Sequence, residues 1–232
     1  MRTYRSNSGP FIERPYYTAD EIERICSDAL RKVSLYPDSP KPIRIDRFIE
    51  KRFSITTEYK DLGPGVLGMA KFGKNGVQGI IVSQALDEAS STTNDRRIRS
   101  TLAHEGGHGL LHTHLFAFAS DQLLFGEHTP TGPIVLCRDI PDAAKSSKYS
   151  GQWWEFQANK AIGALLMPRP LVLTVLDKYM VSCGLLGLKT FNRDLQGSAL
   201  DELVDVFDVN PIVASIRIGE LFPEVQSSQL ML

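Results

Sequence analysis

Thr101-Leu102-Ala103-His104-Glu105-Gly106-Gly107-His108-Gly109-Leu110-Leu111-His112-Thr113-His114 holds four of the five histidines in a chain of 232 residues. Its segment His104 to His108 has the pattern H-E-x-x-H. The pattern carries chemistry only on a helix. At about 100° per residue, positions four apart share a face, roughly 6 Å apart, so the imidazoles of His104 and His108 can hold one Zn²⁺. Glu105 lies beside that face, placed to take a proton from a water on such a metal. The bland alternative is a helix that happens to carry histidines. Gly106, Gly107 and Gly109 each cost a helix roughly 1 kcal/mol relative to alanine. Either a second backbone or a bound metal comes too close for a Cβ, or the helix ends near Gly109 and the glycines mark a loop.

Upstream, the polar stretch Asp87 to Asn94 reads as a loop, with Thr93 or Asn94 as N-cap. Three strand-like runs precede it: Ser54 to Tyr59, Val66 to Phe72 and Gln78 to Ser83. Lys74-Asn75-Gly76 between the last two predicts a hairpin, because Asn and Gly tolerate the positive φ of tight turns. Earlier, Thr18 with Glu21 forms a capping box for a helix from Ala19 to about Ser34. A short strand Ile43 to Ile45 then leads to Asp46 as N-cap of a helix ending near Arg52. Residues 1 to 17 form a polar arm that is ordered only if it packs on the body.

Downstream, Thr113 to Ser150 is a long connection with one strand-like run, Ile134 to Cys137. Ser150 caps a second helix reaching Met167, stopped by Pro168 and Pro170. Leu171 to Val181 reads as helix, and after the turn Gly184 to Gly187 two more helices follow, Ala199 to Phe207 and Pro211 to Leu221.

Composition excludes several classes. The net charge is −1, with 42% hydrophobic and 23% charged residues, so no global field recruits nucleic acid or an anionic membrane. No apolar run approaches a membrane span and no signal peptide is legible, which sets a cytoplasmic expectation. Cys26, Cys137 and Cys183 are odd in number and form no CxxC pair, as in a reducing compartment.

A hydrolytic zinc site needs three protein ligands and an open position. His112 cannot join His104 on one ion, because eight helical residues rise about 12 Å. It reads as a packed residue or a partner of a ligand, and His114 falls off the face. Glu155 is the better third ligand: on its helix it shares a face with Asn159, whose amide can then orient a ligand imidazole, while Ala158 leaves room for the helices to meet. Asp121, Glu127, Asp139 and Asp142 remain rival ligands. Tyr149, His128 and Arg138 are candidate donors to a tetrahedral intermediate. Val66 to Phe72 is the candidate edge strand for a peptide added to the sheet.

These residues carry a family resemblance. His104, Glu105, Gly107, His108, Leu110, Leu111 and His112 match H-E-x-G-H-x-L-L-H. Glu155-x-x-Ala158-Asn159 and Leu165-Leu166-Met167-Pro168 match the E-x-x-A-N and L-L-M-P that follow it. The region from Ile43 to Pro168 thus resembles the ImmA/IrrE group of gluzincin metallopeptidases. Gly106, where a larger apolar residue is usual, and the long connection depart from the pattern. The resemblance implies a minimal zincin-like α+β fold: a small, largely antiparallel sheet on the H-E-x-x-H helix and a second ligand-bearing helix, with a helical C-terminal extension. It implies one Zn²⁺ on His104, His108 and Glu155, Glu105 as general base, and a protein substrate such as a helix-turn-helix repressor encoded nearby. The domain expectation is an arm (1–17), a metallopeptidase domain (18–170) and a helical C-terminal region (171–232).

Two readings compete. One is a metal-stabilised sensor or interaction protein without proteolytic activity. The other is a DNA-binding regulator using Leu203 to Leu221 as a helix-turn-helix. The single basic residue there, Arg217, among Asp201, Glu202, Asp205, Asp208 and Glu220 is poor equipment for phosphate contacts, so direct nucleic-acid binding is not expected.

Overall fold

The computed structural model describes residues 2–5, 13–73, 75–88, 91–115, 134–138, 153–183 and 188–223. In chain order its elements are β1 (Arg2–Arg5), β2 (Glu13–Tyr16), α1 (Ala19–Lys32), α2 (Ile45–Phe53), β3 (Glu58–Lys60), β4 (Val66–Gly73), β5 (Gly76–Ser83), α3 (Gln84–Glu88), α4 (Thr92–Leu111), β6 (Ile134–Arg138), α5 (Trp153–Leu166), α6 (Arg169–Leu176), β7 (Met180–Cys183), β8 (Leu188–Phe191), α7 (Gln196–Phe207) and α8 (Pro211–Leu221). The fold is α+β.

The four-stranded sheet has the order β3-β5-β4-β6. β4 pairs antiparallel with both β5 and β6, while β3 joins β5 in parallel. Sheet pairing is therefore mostly antiparallel. On β4, Gly68, Ala70 and Phe72 are buried in alternation with half-buried neighbours, as a strand with one face on a core requires. That face lies against α4. The hairpin at Asn75-Gly76 forms, with Gly76 at φ +111°. The expected edge position of Val66 to Phe72 is corrected: β6 covers it, because Ile134 to Arg138 returns from the long connection to pair with β4.

Helix α1 begins on the expected capping box, in which Thr18 Oγ1 accepts from the Glu21 N–H and the Glu21 carboxylate accepts from the Thr18 N–H. Its buried Ile22, Cys26, Ala29 and Leu30 join the core beside α5. Helix α2 starts at Ile45, replacing the expected strand Ile43 to Ile45. Arg44 takes the cap position without a side-chain cap, and Asp46 falls in the first turn, paired with Arg44 at 3.1 Å. Helix α4 starts earlier than expected, because Ser91 Oγ accepts from the Asn94 N–H. It then runs unbroken past Gly109 to Leu111.

The expected helix Leu171 to Val181 is also corrected. It stops at Leu176, passes through a 3₁₀ turn at Asp177–Tyr179, and continues as β7, which pairs antiparallel with β8. The C-terminal region is thus helices plus a hairpin. It is fastened to the body by polar contacts as well as by apolar ones. Arg217, on α8, is buried and donates to the Met167 carbonyl from Nε at 3.1 Å and Nη2 at 2.9 Å, with Glu23 and Glu220 as ion-pair partners. From α4, Arg96 Nε reaches Asp208 at 2.9 Å, and Arg99 Nη2 donates to the Ile43 and Phe207 carbonyls.

The N-terminal strands β1 and β2 pair antiparallel. Two contacts tie the end of this segment to the helices: Tyr17 Oη donates to the Leu111 carbonyl at 3.3 Å, and Gln157 Nε2 donates to the Pro15 carbonyl at 2.9 Å. The first satisfies one of the carbonyls that every helix C-terminus leaves without an intrahelical partner.

Candidate metal centre

Helices α4 and α5 approach closely because residues without large side chains meet at their contact. A Cβ on Gly107 would stand 2.8 Å from Ala161 Cβ and 3.2 Å from the Ala158 carbonyl oxygen. On the other sides of α4, a Cβ on Gly106 would stand 2.9 Å from Ile49 Cδ1, and one on Gly109 would stand 2.6 Å from Phe53 Cζ. Protein atoms from α5 and α2 occupy the space, which offsets the helix cost of three glycines. At Gly106, Ile49 fills the volume that a larger apolar residue would take.

This approach brings α4's His104 and His108 to Glu155 of α5. His104 Nε2 lies 3.0 Å from His108 Nε2, and Glu155 Oε2 lies 3.1 Å and 3.5 Å from the two nitrogens. Ligands at bonds of about 2.0–2.1 Å around a tetrahedral ion stand about 3.3 Å apart, so the three atoms have the spacing of a metal triad. The cluster could hold a metal ion. Both imidazoles are buried, and the Glu155 side chain, 21% exposed, forms the partly open side of the triad.

Hydrogen-bond chemistry points the same way. The Asn159 Oδ1 atom lies 3.0 Å from His104 Nδ1. A carbonyl oxygen only accepts, so the Nδ1 carries the hydrogen and a neutral His104 turns a lone pair toward His108 and Glu155. Acceptors then face one another at hydrogen-bond distance. An electropositive species must stand between them: a proton on His108 Nε2, or a metal cation. Burial alone would raise the Glu155 pKa, but a proton on either neighbouring imidazole, His104 or His108, holds its carboxyl well below the usual carboxylate range. Burial pushes the His108 imidazole below its ordinary value.

Glu105 lies on α4 between the histidines and is fully buried, with neither carboxylate oxygen hydrogen-bonded among the described residues. Desolvation, with the nearby Glu155 charge adding to it, pushes its pKa up to about 8. A positive charge at the triad would favour its anionic form. The carboxylate lies under β4 at Gly68, where a Cβ would stand 2.4 Å from Thr101 Cγ2 and 3.1 Å from Glu105 Oε1.

His112 is not part of the triad. Fully buried, its Nδ1 lies 3.0 Å from His108 Nδ1 and its Nε2 lies 2.9 Å from Gln157 Oε1. Burial, reinforced by the neighbouring His108, holds it well below its ordinary pKa. His114 is half-buried, outside the cluster. Asp121, Glu127, His128, Asp139, Asp142, Tyr149 and Ser150 lie outside the described residues, and Arg138 is the last residue of β6.

Sequence reasoning passed over Gly68 and Gln157. An isolated glycine inside a strand pattern signals close approach of another group, so Gly68 had a legible cue. Gln157 had none, because its partners lie 45 and 142 residues away. Compared with known proteins, the chain matches no family model and no curated protein.

Proposed function

We propose that the chain is a zinc-dependent endopeptidase of narrow specificity, with His104, His108 and Glu155 as the ligands of one Zn²⁺ and Glu105 as general base. The observation that carries the reading is the convergence of two imidazole nitrogens and a carboxylate oxygen at metal-ligand spacing beside a buried carboxylate with no hydrogen-bond partner among the described residues. A bound zinc ion would supply Lewis acidity and lower the pKa of water toward neutrality. The residues present fit that role: two imidazoles and one carboxylate leave the fourth tetrahedral position open.

The chain's own groups divide the remaining work. Asn159 orients His104 by accepting from its Nδ1–H. Glu105 takes the attacking water's proton on a carboxylate oxygen and passes it to the leaving amine. A cation at the triad would hold Glu105 in the anionic form that a base requires. The backbone at Gly68 closes over it and excludes bulk water. The similarity of the two motifs to the ImmA/IrrE group supports a zincin-like arrangement, and suggests a regulatory protein such as a helix-turn-helix repressor as substrate.

A metal-stabilised, non-proteolytic protein is the second reading, favoured by the near-complete burial of His104, Glu105 and His108. The DNA-binding reading loses its one cation: Arg217 is buried in contacts with Met167, Glu23 and Glu220. Co-expression with the products of neighbouring genes, comparing wild type with Glu105→Gln, tests the proposal. A shortened regulator with wild type alone, at equal zinc content, is the expected result. Equal cleavage by both removes Glu105 from its role, and zinc binding without cleavage of any neighbour by wild type favours the second reading.

A further inference from the structure

The hydrogen bonds behind His108 form a chain whose polarity is set at its far end, by a backbone group of the N-terminal segment. The Pro15 carbonyl can only accept, so the Gln157 amide presents Nε2 to it at 2.9 Å and turns Oε1 the other way. That oxygen, also an acceptor, lies 2.9 Å from His112 Nε2, which must therefore carry a hydrogen. His112 is fully buried, its ring edge-on to Trp153 at 5.6 Å, a setting that disfavours the imidazolium. A neutral His112 bearing its hydrogen on Nε2 has a lone pair on Nδ1. This atom lies 3.0 Å from His108 Nδ1, so the hydrogen between the two rings belongs to His108. A neutral His108 with Nδ1–H has its lone pair on Nε2, the atom facing His104 and Glu155.

Resting on the zinc reading above, we propose that Gln157 and His112 are positioning residues. They hold His108 as its Nδ1–H tautomer and so commit its Nε2 lone pair to the metal. The alternative occupant of the triad, a proton on His108 Nε2, is disfavoured by the same chain. Asn159 performs this service for His104 in one step; His108 requires two side chains and reaches the strand β2. Metal affinity is thereby coupled to the seating of residues 13–16 on α5. Neither Gln157 nor His112 touches the metal position, and their effect passes entirely through His108.

Zinc affinity of the full chain, measured by competition with a chromogenic chelator, tests this. Gln157→Leu keeps the bulk but removes the acceptor, freeing His112 to reverse its tautomer. The expected result is a roughly 10–100-fold weaker zinc Kd, the range for loss of partners that orient ligand imidazoles. Gln157→Glu should retain a Kd close to wild type, because the buried neutral acid reproduces the amide's pattern with one O–H to Pro15 and one C=O to His112. An equal loss in both variants, or none in Gln157→Leu, overturns the proposal. Nitrogen-15 correlation spectra of the zinc-loaded wild type need no variant: they should show Nδ1–H on His104 and His108 and Nε2–H on His112. An Nδ1–H form of His112 overturns it. A wild type that binds zinc with either contrary result leaves the metal reading standing and this one fallen, whereas a wild type that binds no zinc removes both.

Discussion

Helix α5 has a buried polar cluster at each end, and the two are built on opposite terms. At its C-terminal end Arg217 places its guanidinium against the Met167 carbonyl, Glu23 and Glu220, so donors meet acceptors throughout. Near its N-terminal end His104 Nε2, His108 Nε2 and Glu155 Oε2 point at one another, and Glu105 beside them has no hydrogen-bond partner among the described residues. A buried polar group costs free energy unless it is satisfied, and a chain that solves the problem at one end of a helix has the means to solve it at the other. The N-terminal end is the one whose side chains could hold a metal ion. The satisfied end is architecture: it locks α8 onto α1 and α5.

The largest expected effect breaks the first cluster. Glu155→Ala removes a ligand atom and leaves two facing imidazoles, so zinc stoichiometry measured by plasma mass spectrometry should fall from one per chain toward zero. Chelation of wild type should lower its Tm, because a ligand bound only by the folded state stabilises it by mass action, and Glu155→Ala should show no such drop. Unchanged stoichiometry in the variant would sink the ligand assignment.

Next comes the satisfied cluster. Arg217→Met leaves Glu23 without its cation and the Met167 carbonyl without its donors, while Glu220 keeps Lys160 at 2.8 Å. Breaking a buried pair by removing one partner costs about 3–5 kcal/mol, to be read from urea unfolding. Zinc affinity of the folded variant should match wild type. A change in zinc affinity as large as that of Glu155→Ala would join the two clusters into one unit and break the comparison.

Much of the architecture was legible wherever a local rule governs it. The Thr18–Glu21 capping box, the Asn75-Gly76 turn and the paired histidines of α4 are short-range patterns, and each appears where its residues stand. Less legible were positions set by tertiary partners. Met180 and Val181 follow α6 with no proline or glycine between, yet form a strand paired with Phe191 and Thr190. Ser91, Thr93 and Asn94 are all good caps, and only the hydrogen bond to the Asn94 N–H selects Ser91. The strand Val66 to Phe72 reads the same whether it is an edge or covered by β6. At the site, the ligand-type side chains were visible as residue types at a spacing. What surrounds them was not, because Gln157, Pro15 and Gly68 act through distances that only the packed chain defines.

Gly68 supplies the smallest effect and the most local test of why the unsatisfied end stays unsatisfied. A Cβ there would stand 2.4 Å from Thr101 Cγ2, closer than side chains tolerate, and 3.1 Å from Glu105 Oε1. Gly68→Ala should therefore destabilise by about 1–3 kcal/mol, as overpacking of a filled core does. The cause can be separated from the ordinary loss of backbone freedom, because Thr101→Ser deletes the methyl group that the added Cβ would strike. In the double variant most of the loss should return, giving a coupling energy of about 1 kcal/mol or more in a double-mutant cycle. The residual contact, with Glu105 Oε1, is then isolated. If the carboxylate must move to accept a proton, the rescued double variant should fold and bind zinc as wild type does but cleave substrate more slowly. Stability and turnover recovering together would mean that Gly68 only makes room for Thr101, and that the strand above Glu105 is packing alone.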